Sequence, residues 1–157
     1  MRKLKRLTAL ILALVLCAGM MGYASAADMG NFTDVNPSAW YYEAVSEAVD
    51  NGLLIGKGEG VLDPMGSLTR AEMAAVINRA FGTYVEGDIS HFTDVPEGSW
   101  YEEDMAMAWH MGTYIGTGSD TMAPEADITR QEAMTVVARA LQLDLEDYGN
   151  TDLSAFA

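Results

Sequence analysis

The strongest constraint on the fold is an internal echo at a constant offset of 60 positions. Phe32-Thr33-Asp34-Val35 returns as Phe92-Thr93-Asp94-Val95, and Trp40-Tyr41 returns as Trp100-Tyr101. Ile55-Gly56, Pro64, Thr69-Arg70, Glu72 and Arg79-Ala80 return as Ile115-Gly116, Pro124, Thr129-Arg130, Glu132 and Arg139-Ala140. No insertion or deletion separates the copies. A repeat of this size is one supersecondary unit that cannot bury its apolar face alone, so neighbouring copies must supply each other's core.

Within a copy the pattern reads helix, loop, helix, and the fold class it predicts is all-α. Trp40, Ala44, Val45, Ala48, Val49 and Leu53 form one apolar stripe, with Ser38 as N-cap and Asn51-Gly52 as stop. In the second copy Ser99-Trp100-Tyr101-Glu102 reads as a capping box ahead of a stripe at Met105, Ala108 and Trp109. Turn-rich loops follow, beginning at Gly56 and Gly116. A second helix is predicted from about Arg70 to Phe81 with Met73, Val76, Ile77 and Ala80 inward, and its counterpart from about Arg130 to Leu141 with Met134, Val137, Ala138 and Leu141 inward. The copies span 32–82 and 92–143. Residues 144–157 read as a linker and, at Phe156, the start of a third copy, so the native protein is expected to continue.

The amino terminus is of another kind. Arg2, Lys3, Lys5 and Arg6 precede an apolar run from Leu7 to Met21, and Ala24-Ser25-Ala26 follows. This is the layout of a secretory signal peptide spanning 1–26. The apolar run is shorter than the roughly 20 residues of a spanning helix, so no membrane insertion is expected after cleavage. Lipid attachment at Cys17 is disfavoured by the bulk of Leu16. Four of the 9 basic residues and none of the 23 acidic ones lie in 1–26, which leaves 5 basic residues and a formal charge of −18. Nucleic acid is thereby an unsuitable partner, since a phosphate backbone is held by stripes of Lys and Arg. Cys17 leaves with the signal, removing disulfides, thiolate metal sites and cysteine catalysis from consideration.

Thr69-x-x-Glu72 and Thr129-x-x-Glu132 are capping boxes, each satisfying two orphan backbone N–H groups. Arg70 and Arg130, at the first helical position, are harder to explain. A cation there opposes the helix dipole at a cost of a few tenths to about 1 kcal/mol. A local ion pair with the capping glutamate recovers less than about 1 kcal/mol when exposed. A guanidinium beside helix N–H groups is, however, well suited to grip a carboxylate from outside. Arg79 and Arg139 sit in a last turn, where a cation suits the dipole. Asp34 and Asp94 read as structural, capping a turn or bonding across a copy boundary. Trp40 and Trp100 fit either a core role or stacking on a sugar. Met73, Met105 and Met134 read as core filler.

The order Phe-Thr-Asp-Val, Trp-Tyr, Ile-Gly-x-Gly, Pro, Thr-Arg-x-Glu, met twice over residues 32–143, resembles the S-layer homology (SLH) domain. The resemblance implies a pseudo-trimeric helical bundle, incomplete here, with grooves between copies. It implies a non-covalent anchor at the cell envelope, binding secondary cell-wall polysaccharide on peptidoglycan, often through pyruvylated sugars. Carried onto this sequence, the groove residues are Arg70, Arg130, Trp40 and Trp100. Gly56, Gly58, Gly116 and Gly118 would bring backbone close to the sugar. No catalytic residue, metal or cofactor is implied.

Three other functions compete with this one. Glu102, Glu103 and Asp104 cluster as glycosidase carboxylates do, but adjacent helical acids point apart and the first copy has Tyr42-Glu43-Ala44 there. His91 and His110 match no metal spacing, and no EF-hand loop is present. A helical-repeat protein–protein adaptor, or the anchoring part of a larger secreted glycan-active enzyme, is the alternative to a stand-alone anchor.

Overall fold

The computed structural model describes residues 28–143. The expected signal peptide and the expected start of a third copy lie outside that range. Among the described residues the elements are a 3-10 turn at Met29–Asn31 and four α-helices: α1 (Tyr42–Asp50), α2 (Arg70–Phe81), α3 (Glu102–His110) and α4 (Arg130–Ala140). The extended pairing among them is confined to isolated bridges, Gly58 with Val61 and Thr69 with Asp127. The fold is all-α, as the periodicity predicts.

The chain divides into two compact units, and the boundary falls between Leu62 and Asp63, inside the first sequence copy. The first unit holds the 3-10 turn, α1 and the glycine-rich loop. The second holds α2 together with everything from the second copy. Helix α2 therefore packs on α3 and α4, the helices of the next copy.

Each Phe-Thr-Asp-Val segment locks the glycine-rich loop of its own copy. In the first unit Thr33 N donates to Gly60 O (3.0 Å), and the Asp34 carboxylate accepts from Leu62 N (3.0 and 3.2 Å). In the second, Thr93 N donates to Asp120 O (2.9 Å), and Asp94 accepts from Met122 N (2.9 Å) and Ala123 N (2.7 Å). The structural role expected of these aspartates is what the structure shows. Gly56 requires glycine: its φ is +80°, and a Cβ would lie 2.5 Å from the Phe32 ring and 2.8 Å from Val61 O. Gly116 repeats the conformation at +83°, against Thr121 O.

In the second unit the core gathers Ala71, Met73, Ala74 and Ile77 from α2, Met105 and Ala108 from α3, and Val136 and Ala140 from α4. Phe92, Tyr101, Tyr114 and Met122 close it. Helices of nine to twelve residues are marginal alone, so this shared core is what makes them helical.

Several local expectations need correction. Ser38 does not cap α1, and the Ser99 capping box is absent: α1 and α3 begin after Tyr41 and Tyr101, with no side-chain cap. Glu102 instead reaches back to accept from Gly98 N at 2.6 Å. The inward faces also differ. Ala71, Ala74, Ala75 and Asn78 are buried on α2, whereas Ala80 is exposed. On α4 Val136 and Ala140 are buried, while Met134 is 59 % exposed and Leu141 53 %. The cause is neighbour number: α2 is flanked by two helices, and α4 meets only α2 among the described helices.

Candidate functional site

The two Thr-Arg-x-Glu segments build the same cap and then diverge. At α2, Thr69 Oγ1 accepts from Glu72 N (3.2 Å) and Glu72 Oε2 accepts from Thr69 N (2.8 Å), the predicted capping box. The two remaining first-turn amides are met by the loop of the second copy: Arg70 N donates to Ala126 O and Ala71 N to Pro124 O, both at 2.9 Å. All four orphan donors of this helix start are thus satisfied, and the bond from Met73 N to Thr69 O begins the helical ladder.

The Arg70 side chain is 8 % exposed. Its Nε donates to Met122 O at 2.9 Å, and Nη1 lies 3.1 Å from Glu132 Oε1. The guanidinium carbon sits 4.9 Å from the centre of the Tyr114 ring, a cation–π contact. Tyr114 in turn donates its hydroxyl to Arg70 O at 2.9 Å. Burial pushes the Tyr114 hydroxyl up to about 12, against the opposing pull of Arg70. The premise that folding has no use for a cation here fails for Arg70, because three groups of the second copy compensate the dipole. Its guanidinium is a strut between the copies.

At α4, Thr129 and Glu132 form the second predicted capping box, Glu132 N donating to Thr129 Oγ1 (3.2 Å) and Thr129 N to Glu132 Oε2 (2.8 Å). Hydrogen bonds from the Thr129 backbone and then its hydroxyl hold the Glu132 carboxyl below the usual range, with a smaller contribution from Arg70. Arg130 is exposed, and among the described residues neither its side chain nor the N–H groups of Arg130 and Gln131 find a partner. Arg139 donates from Nη1 to Thr113 O at 3.3 Å, a tertiary bond where only a dipole effect was expected.

Both indoles lie on the surface. Trp40 is 91 % exposed and Trp100 64 % exposed. Each meets the following tyrosine edge to face, Trp40 on Tyr41 at 5.7 Å and Trp100 on Tyr101 at 5.4 Å between centroids. With that much exposure neither indole is a core residue. Tyr101 also lines an open hollow of about 200 Å³ with Asp94, Ala123, Pro124, Glu125 and Ala126. Its hydroxyl is held above the usual phenol range by burial first and by Glu125 second. Gly58 adopts φ +106° in open space, while a Cβ at Gly118 would meet Thr121 Oγ1 at 2.9 Å.

Sequence reasoning missed the docking of the 122–128 loop on the start of α2. The signal was weak, since the Tyr114 that completes the arginine socket stands where the first copy has Leu54.

Helix pairs joined across copy boundaries, with both indoles left in solvent, define a repeat-built helical module. The chain belongs to the S-layer homology domain family, whose model matches residues 31–74 and 91–134. It is 32 % identical over 145 residues to the surface-layer 125 kDa protein of Lysinibacillus sphaericus, covering 92 % of this chain and 12 % of that protein. It is 30 % identical to a cell surface protein of Thermoanaerobacter kivui, over 90 % of this chain and 19 % of that one. It is also 31 % identical to exoglucanase XynX of Acetivibrio thermocellus, over 72 % of this chain and 11 % of the enzyme. The chain thus spans less than a fifth of each of these relatives. Membership makes it a secreted, cell-envelope anchoring module.

Proposed function

We infer that this module anchors its protein by holding an acidic, pyruvylated secondary cell-wall polysaccharide. The observation that carries the reading is the open start of α4, where the Arg130 guanidinium and two backbone N–H groups stand together without a partner among the described residues. A carboxylate placed there meets a bidentate donor and a favourable dipole at once. Trp40 and Trp100 offer stacking faces to the sugar rings. The loops at Gly56, Gly58, Gly116 and Gly118 would bring protein backbone close to the sugar. Arg70 contributes from inside, by holding Glu132 and so the cap from which Arg130 projects.

Net acidity does not forbid an anionic ligand, since screening over about 10 Å confines the repulsion at ordinary salt. The test is co-sedimentation with purified walls before and after chemical removal of the secondary polymer. Binding should vanish on stripped walls, and Arg130→Ala should weaken it about tenfold or more, the worth of one charge-assisted pair. Retention on stripped walls would assign the partner to peptidoglycan or protein instead.

A further inference from the structure

The turn that opens the second unit is built around the single Asp–Pro bond of the chain, Asp63–Pro64. Asp63 has φ +54°, in the left-handed region where a side chain is strained. A following proline narrows the choice of that residue further, towards extended backbone. The Asp63 carbonyl accepts from Gly66 N at 3.1 Å, which closes the turn. Its carboxylate folds forward over the same turn and fills the space that a Cβ on Gly66 would need.

The second copy makes the same turn without the acid. Ala123 stands at the position of Asp63 with φ +51°, and Ala126 N donates to Ala123 O at 3.2 Å. The backbone therefore does not require a carboxylate. Asp63 and Gly66 are exchanged together for Ala123 and Ala126, which fits a glycine that makes room for the acid.

We propose that Asp63–Pro64 is a self-cleavage site, at which the Asp63 carboxyl cuts its own peptide bond. The carboxylate and the carbonyl of Asp63 converge on one residue, Gly66, so the acid is turned towards the bond it attacks. The Gly66 N–H already polarises that carbonyl and stays in place for the developing oxyanion. The left-handed strain at Asp63 is released when the bond breaks. In the step, a carboxyl oxygen of Asp63 bonds to its own main-chain carbonyl carbon, and the bond from that carbon to Pro64 N breaks. The carboxyl proton passes to the departing nitrogen, which leaves as a secondary amine. One water then opens the cyclic anhydride, giving Asp63 as a C-terminus and Pro64 as an N-terminus. Nothing is oxidised or reduced. Asp63 is exposed, so water reaches it. The break falls just past the boundary between the two compact units, and the core cluster of the second lies entirely beyond it. Cleavage therefore detaches the first unit and leaves that core whole.

The test is incubation of the folded secreted chain at about pH 5, where carboxyl groups begin to take up protons. Products are read by mass spectrometry and N-terminal sequencing. A fragment beginning Pro64-Met65-Gly66 should appear about tenfold faster than from the same chain in urea, the strain of one left-handed residue expressed as a rate. Asp63→Asn should abolish it. Gly66→Ala keeps the Asp–Pro bond but displaces the carboxylate, and should lower the rate to the urea value with helix content unchanged in circular dichroism. A folded chain that cleaves no faster than the chain in urea overturns the proposal. So does cleavage that Gly66→Ala leaves unslowed, since the bond would then show only the acid lability common to Asp–Pro pairs.

Discussion

Helices α2 and α4 begin with the same four-residue grammar and end in opposite environments. Both form the Thr-Glu capping box, and both place an arginine at the first helical position. Arg70 is enclosed by Met122 O, Glu132 and the Tyr114 ring, and its helix start is closed by carbonyls of the second copy. Arg130 stands in solvent, and the N–H groups of Arg130 and Gln131 are open among the described residues. The motif specifies a helix start with a cation at its first position, and the segment that packs against it decides whether that cation is enclosed or left in solvent.

The most forceful way to break the comparison is to remove both arginines in turn. Arg70→Ala strips a donor from buried Met122 O and leaves Glu132 without its ion-pair partner, a loss of about 2–3 kcal/mol. For a domain of this size that is a fall in Tm of roughly 10 °C or more in a thermal melt. Arg130→Ala should leave the melt within about 0.5 kcal/mol, as for other exposed positions. Equal melts for the two variants would end the distinction.

A second measurement sharpens the strut. The Tyr114 hydroxyl is raised from an ordinary 10 to about 12, so the fold favours its neutral form. The stability this group contributes is intact below pH 10 and disappears as pH climbs towards 12, on the order of 2 kcal/mol in all. Tyr114→Phe should flatten that alkaline slope in denaturant titrations, at the cost of the bond to Arg70 O. An unchanged slope would place the titrating group elsewhere.

The smallest effect concerns Glu132, whose carboxyl is lowered from 4.5 chiefly by Thr129. A depressed carboxylate stabilises above its unfolded value and loses that contribution as pH falls through the folded one. Glu132→Gln should therefore narrow the stability difference between pH 6 and pH 3, read from melts at the two values. Glu72→Gln on α2 provides the control, since Glu72 caps the helix that Arg70 starts.

Much of the architecture was legible in the residues. The 60-residue offset marked the copies, and the helix spans followed from periodicity and capping chemistry, which act over three or four positions. Both capping boxes at Thr69 and Thr129 form as read, because their donors and acceptors lie within one turn. The exposure of Trp40 and Trp100 was open in the sequence, since an aromatic before a helix serves a core or a surface equally well. The periodicity does not give the inward face of α4, where Met134 and Leu141 turn to solvent, because among the described helices it packs on α2 alone.

The sequence by itself determined the all-α class, the repeated frame, the capped starts of α2 and α4 and the acidity that excludes nucleic acid. Tertiary structure alone decided that the compact unit straddles the copy boundary, that Arg70 is internal, and that α2 is covered where α4 is open. The reason is range. Helix propensity and capping are settled by neighbours along the chain, whereas burial of a given face depends on which distant segment arrives to cover it, and identical motifs carry no record of that.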